Sequence, residues 1–462
     1  MENSKAKGIG LLGIIFFVIS GMIGFDGLTA TAAVGPSMFG WWAVIIVLFL
    51  IPNLLMISEL SASFPSEGAV YDWALKALGC KNAARVGWYY WINVPFWMPA
   101  VYLIAAGILS ELWFPDMSIW VMIAISVVMV WGTVWICNAS VEFGNAVNIV
   151  GGLSKIAVLL ALMIGGFLYI SNHGAATELT LSSMMPRFDD GFMYAPTLVY
   201  LIVGAETVAC MGSALRNPER NVPLGLFIAL AIILVLYSLS IGSMMVALPA
   251  ENLSLVGGIT QSFDVLFGEG GRSLTIVMSL IAIVALVTYI VPWLMAASRA
   301  AVEAAENGEM PAIFAKKNAA GSPSGANNLA GVVATAALVL YGFMSGSADD
   351  LFWGLFAFAS FLLFVTYFFL LAAFIGMRKK FPDAPRPFKV AGGMGFAWLI
   401  VLTQGLVLTV SCVVFVFPDI FAGVIDLAYS MPTIVGIIGA VVLIEVSIFR
   451  LLGGKKGEQP AE

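Results

Sequence analysis

Apolar runs of about 20 residues, the length that crosses a hydrocarbon core of ~30 Å as a helix, follow one another along the chain with short polar connections. Twelve are readable: 8–34, 38–64, 84–113, 117–139, 147–170, 192–214, 222–248, 272–301, 328–345, 351–377, 396–418 and 432–452. No connection is long enough for a soluble domain. The pattern predicts an all-α integral membrane protein, one polytopic domain with twelve transmembrane helices. The ten terminal residues GGKKGEQPAE (453–462) read as a disordered tail. The first run lacks the short apolar core and small-residue cleavage site of a signal peptide, so it is expected to stay.

Two runs are interrupted in the same way. The first reads VISGMIGFDGLTATAAVG, with Gly21, Gly24 and Gly27 in its middle; the sixth reads YLIVGAETVACMG, with Gly204 and Gly212. Each glycine weakens a helix by about 1 kcal/mol relative to alanine. The interruptions therefore read either as local unwinding or as close packing through small residues. Their recurrence five spans apart favours unwinding and a five-plus-five inverted repeat, with a solute site at mid-membrane between discontinuous helices. On that reading the halves are residues 8–170 and 192–377, followed by two additional helices at 396–452. Backbone at Gly21, Met22, Ile23, Gly24, Gly27, Val203, Gly204 and Ala205 would offer free peptide groups to a small polar substrate.

Composition agrees and adds orientation. The chain is 61% hydrophobic and 10% charged, with a mean hydropathy of +1.00. Eighteen of the 21 basic residues fall at alternate connections or termini, from Lys5 and Lys7 to Lys455 and Lys456; Arg187 and Arg272 lie on the other side and Lys155 inside a span. By the positive-inside rule both termini are cytoplasmic, in a cell (inner) membrane. Three of the four cysteines, Cys137, Cys210 and Cys412, lie inside spans, which argues against a disulfide framework.

Asp26, Lys155, Glu206 and Glu445 are ionisable residues within apolar runs, each costing roughly 2.5–3.5 kcal/mol at bilayer depth. Such residues line a polar path or pair with one another. Asp26 has three readings: contact with a substrate ammonium, pairing or coupling with Lys155, or capping of the helix that restarts near Thr29. Lys155 lies about eight residues into its run, too deep to snorkel easily. It is either a proton-exchanging group or a fixed structural charge. Glu206 reads as a gating acid or as a brace for the sixth-span break, and Glu445 as structural. His173, the sole histidine, has no cluster around it for a metal. P-loops, Cys/His metal spacings and Ser–His–Asp sets are missing, so neither an ATP-driven pump nor an enzyme is indicated, and no cofactor or nucleic-acid partner is expected. Partners are a small-molecule substrate and the lipid bilayer; a homodimer is compatible with the sequence without being indicated by it.

Four blocks carry a resemblance. RNPERNVPLGL (216–226), GMIGFDGL (21–28), SELSASFPSEGAVYDWALKALG (58–79) and SRAAVEAAENGEMPAIFAKKNAAGSP (298–323) resemble motifs of the amino acid–polyamine–organocation transporter superfamily, nearest the glutamate/GABA-exchanger-like branch. The resemblance implies a leucine-transporter-type fold of twelve helices and alternating access, with spans one, two, six and seven rocking against the rest. It also matches Lys155 to a lysine that takes the place of a coupling sodium ion, and Tyr200 and Trp293 to aromatics that stack on the substrate. Tyr89, Tyr90, Trp91, Asn93 and Trp97 would line the path. Asp26 departs from the family, standing where relatives carry a glycine; in the related neurotransmitter-transporter fold an aspartate at such a break accompanies monoamine substrates. The expected function is proton-coupled secondary transport of amino acids or related amines, with obligate amino acid/amine exchange as the alternative and a channel as the remote one.

Overall fold

The first apolar run does not form one helix. In the computed structural model, which describes residues 10–66, 68–139 and 141–452, it is split into α1 (Leu11–Met22) and α2 (Leu28–Ala33). Next come α3 (Met38–Ile45), α4 (Ile51–Ser63), α5 (Val70–Leu78), α6 (Cys80–Trp113), α7 (Ile119–Asn138) and α8 (Val141–His173). The second half holds α9 (Pro196–Tyr200), α10 (Pro218–Ala247), α11 (Gly258–Phe267), α12 (Arg272–Glu306), α13 (Ser324–Gly342), α14 (Ala348–Lys380), α15 (Gly393–Val416) and α16 (Leu427–Leu452). No strand occurs among the described residues. Lys5, Lys7, Lys455, Lys456 and the tail 453–462 lie outside them, as does the side chain of Cys210.

Eleven segments are long and apolar enough to cross a membrane. The first run falls outside that number because its two pieces have 12 and 6 residues. A π-helical turn, Ile46–Leu50, joins α3 to α4 just before Pro52, whose missing N–H disrupts the regular ladder there. Large apolar side chains such as Leu12, Trp135, Phe167, Phe343 and Phe449 are exposed on the outside, which suits lipid contact.

The most enclosed helix is α6, packed against α14, α12 and α5, while α8 packs on α12 and α10, and α1 on α10. Pro95 and Pro99 both sit inside α6 and flank Trp97. Two amphipathic helices were not among the expected spans. In α5 the buried residues Val70, Tyr71, Trp73, Ala74 and Ala77 form one face, the i, i+3, i+4, i+7 spacing of a half-buried helix. The α11 helix packs on α12, α8, α10 and α6. Both escaped the transmembrane reading because they are too short and too mixed in character to span.

A buried ion-pair hub ties distant segments together. Glu59, near the end of α4, accepts from Arg378 Nε at 2.8 Å and again from its terminal nitrogen. It also accepts from the Val390 amide at 2.8 Å and lies 3.3 Å from Arg386 Nε. Arg378 also donates to the carbonyls of Gly393 and Val390. The sequence reading noted Glu59 only as part of a motif.

Candidate functional site between the two broken spans

Geometry explains the glycines. A Cβ at Gly24 would sit 2.4 Å from Asp26 Oδ1 and 2.6 Å from Tyr289, and one at Gly27 would sit 2.8 Å from Leu201. At Gly21 the nearest such atom is 3.9 Å away, so packing does not demand glycine there. The chain leaves α1 at Ile23 in an extended conformation and restarts as α2 after Gly27. In the sixth span α9 stops at Tyr200, Gly204 takes a φ of +107°, and the chain continues as a 3-10 helix over Ala205–Ala214. Both spans are thus discontinuous, at the positions the sequence reading gave.

Each break is pinned by a tyrosine from another helix. The Gly24 amide donates to Tyr237 Oη at 2.8 Å, and that hydroxyl directs its own hydrogen at the carbonyls of Met22 and Gly24, 3.2 Å from each. The Gly204 amide donates to Tyr367 Oη at 2.9 Å, and Tyr367 donates to Glu206 Oε2 at 2.5 Å. Trp293 Nε1 donates to the Gly21 carbonyl at 3.1 Å, and its ring lies beside Gly204. Sequence reasoning missed Tyr237, Tyr289 and Tyr367, since one tyrosine in an apolar run carries no signal of the break it reaches.

Asp26 is fully buried. Trp97 Nε1 donates to its Oδ2 at 2.5 Å and the Tyr200 hydroxyl also interacts with the carboxylate, while Oδ1 has no partner at close hydrogen-bonding geometry. Around it the Trp97 ring meets Tyr289 edge-on at 5.0 Å, Trp293 at 5.7 Å and Tyr200 at 6.5 Å between centroids. The Lys155 ammonium sits 3.9 Å from the centroid of Tyr289, close enough for its charge to act on Asp26. Capping does not describe Asp26: Gly27 occupies the cap position of α2 and no side chain caps that helix. Thr29 instead donates to the Leu255 carbonyl.

Glu206 is also buried and keeps Oε1 without a donor. It borders a cavity of about 20 Å³ lined also by Tyr71, Tyr90 and Ala300, room for one water molecule. Tyr71, on α5 outside the spans, donates to Glu309 at 2.8 Å; burial raises its pKa well above the ordinary phenol value.

The other candidates divide. Asp26, Lys155, Tyr200, Trp97 and Trp293 come together, with Trp293 inside α12, which runs on to Glu306. Lys155 likewise falls near the middle of α8. Asn93 bonds its own helix at the Tyr90 carbonyl. Tyr89 stacks on Phe369, and Trp91 packs on Phe314. Glu445 is held by Arg85 in a two-point pair at 2.6 and 2.8 Å, a structural contact. His173 stacks on Tyr169.

The profile of the family described as amino acid permease matches residues 9–443. The chain belongs to that family. It is a membrane transporter and not an enzyme. This permease is 30% identical over 456 residues to a probable agmatine/putrescine antiporter of Lactococcus lactis, covering 98% of this chain and 97% of that one. It is 24% identical to a gamma-aminobutyric acid permease of Bacillus subtilis, over 96% and 90% of the two chains. Its fold is shared with a manganese transporter of Eremococcus coleocola, with a TM-score of 0.50 at 13% identity over 94% and 95% of the chains.

Gly204 offers a direct check of the second break. A Cβ there would lie 3.1 and 3.3 Å from the Trp293 ring, at a φ that side chains rarely adopt. Gly204→Ala is expected to cost about 1–3 kcal/mol, read as a lowered unfolding midpoint of the detergent-solubilised permease.

Proposed function

We propose that this permease exchanges small ammonium-bearing solutes, amino acids or related amines, by alternating access around Asp26. The observation that carries the reading is Asp26 itself. It is a fully buried carboxylate at a helix break, bonded by Trp97 and approached by the Tyr200 hydroxyl, with Oδ1 left without a close partner, inside a box of Trp97, Tyr200, Tyr289 and Trp293. A cation over an aromatic face gains about 0.5–2 kcal/mol, and a carboxylate beside such faces suits a primary ammonium. Exchange is favoured over uniport because relatives include proteins named as agmatine/putrescine and arginine/ornithine antiporters.

Two halves, 8–170 and 192–377, form the inverted repeat in this reading, each with its broken span pinned by a tyrosine. Both termini lie on the cytoplasmic side of the inner membrane, where the basic residues cluster. Spans one, two, six and seven then move against the rest. Proton coupling is the second reading, favoured by Lys155 beside Tyr289 and Asp26.

Proteoliposomes separate the two. Exchange predicts that uptake of labelled agmatine or putrescine requires unlabelled amine inside and is indifferent to a proton ionophore. Uptake into empty vesicles that collapses with the ionophore would establish proton coupling instead.

A further inference from the structure

Resting on the ammonium site proposed above, we infer that this site excludes carboxylates, so that its cargo is an amine lacking a carboxyl group and not the parent amino acid. At a break in a membrane helix, freed backbone amides are the natural receptors for an anionic group. Here the turn amide of each break is already taken. Tyr237 holds the Gly24 amide at 2.8 Å and Tyr367 holds that of Gly204 at 2.9 Å.

The protein's own carboxylates stand beside those same amides. Asp26 Oδ1 packs against Gly24 so closely that a Cβ there would lie 2.4 Å from it. Glu206 bonds the very hydroxyl that caps Gly204. Both acids are buried, and each keeps one oxygen without a protein donor. A guest carboxylate entering here would meet like charge in a low-dielectric setting and find both turn amides occupied. Lys155 is seated over Tyr289, and its charge interacts with that of Asp26. Tyr237 and Tyr367, neither of which faces the cargo as a charged group, thereby become specificity-determining residues.

The test uses the full-length permease in detergent and calorimetric titration with matched probes: agmatine, arginine and arginine methyl ester, then putrescine and ornithine. An amine is expected to bind at least about 100-fold tighter than its parent amino acid, and the ester, which keeps the bulk without the charge, to recover at least about tenfold. Tyr237→Phe frees the Gly24 amide without changing charge. It is expected to narrow the amine-to-amino-acid ratio by about fivefold or more while amine affinity stays within about threefold. Tyr367→Phe gives the same reading at the other break if the first variant does not fold, and the wild-type ratio decides in any case. Amino acids binding within about threefold of their amines would overturn the inference and point to Lys155 as the carboxylate's receptor. Failure of every probe to bind up to about 10 mM removes the ammonium site itself, and this inference with it; the two failures are told apart by whether any ligand saturates.

Discussion

Asp26→Asn is expected to weaken binding of a primary amine by about 100-fold or more, since removing one partner of a buried, hydrogen-bonded charge pair costs about 2–5 kcal/mol. The substitution keeps the size of the side chain and leaves a carbonyl oxygen to accept from Trp97 Nε1, which now bonds Asp26 Oδ2 at 2.5 Å. The charge is lost, and the second oxygen becomes an amide donor. The affinity change therefore reports the carboxylate and not a collapsed aromatic box, in which Tyr289 and Trp293 each pack on the Trp97 ring. Calorimetric titration of the variant, alongside its elution as a single species of wild-type size, makes the measurement. Unchanged amine affinity would place the cargo elsewhere and leave Asp26 as a partner of Lys155 alone.

The second large effect is on stability. Glu59→Ala is expected to lower the stability of the fold by about 3–5 kcal/mol, because it leaves buried arginine charge without its carboxylate. Side-chain exposure is 6% for Arg378 and 2% for Glu59, so solvent does little to screen the loss. The pair joins α4 to the end of α14, and the Val390 amide brings the following connection onto the same carboxylate. Tryptophan fluorescence during heating would show the lowered midpoint. An unchanged midpoint would mean that the carbonyls of Gly393 and Val390, which Arg378 already reaches, suffice to hold the guanidinium.

If spans one, two, six and seven move as proposed, the Glu59 hub lies on the boundary between moving and fixed parts. The hub also neighbours the ammonium site: α4, the helix that bears Glu59, packs against α10 and the second half of the sixth span. Both variants can be assayed in the same exchange experiment. Asp26→Asn acts on affinity, and Glu59→Ala acts chiefly on the lifetime of the folded protein.

Hydrophobic run length determined the spans, because a bilayer admits only segments that satisfy their own backbone over about 20 residues. Clustered glycines marked both breaks for a related reason: Gly24, Gly27 and Gly204 stand where a Cβ would collide with a neighbour or where φ is positive. Buried charge pointed to Asp26, Lys155 and Glu206, since such groups are too costly at depth to be incidental. What surrounds them was decided only by tertiary structure. Trp97 comes to Asp26 from α6, Tyr237 to Gly24 from α10, and Tyr367 to Gly204 and Glu206 from α14, and each side chain is separated from its partner by 71 residues or more along the chain. The same holds for Arg85 with Glu445 and Arg378 with Glu59. A local pattern records which residues cannot face lipid; which of them meet depends on how the helices cross, and that is set by the packing of the whole bundle.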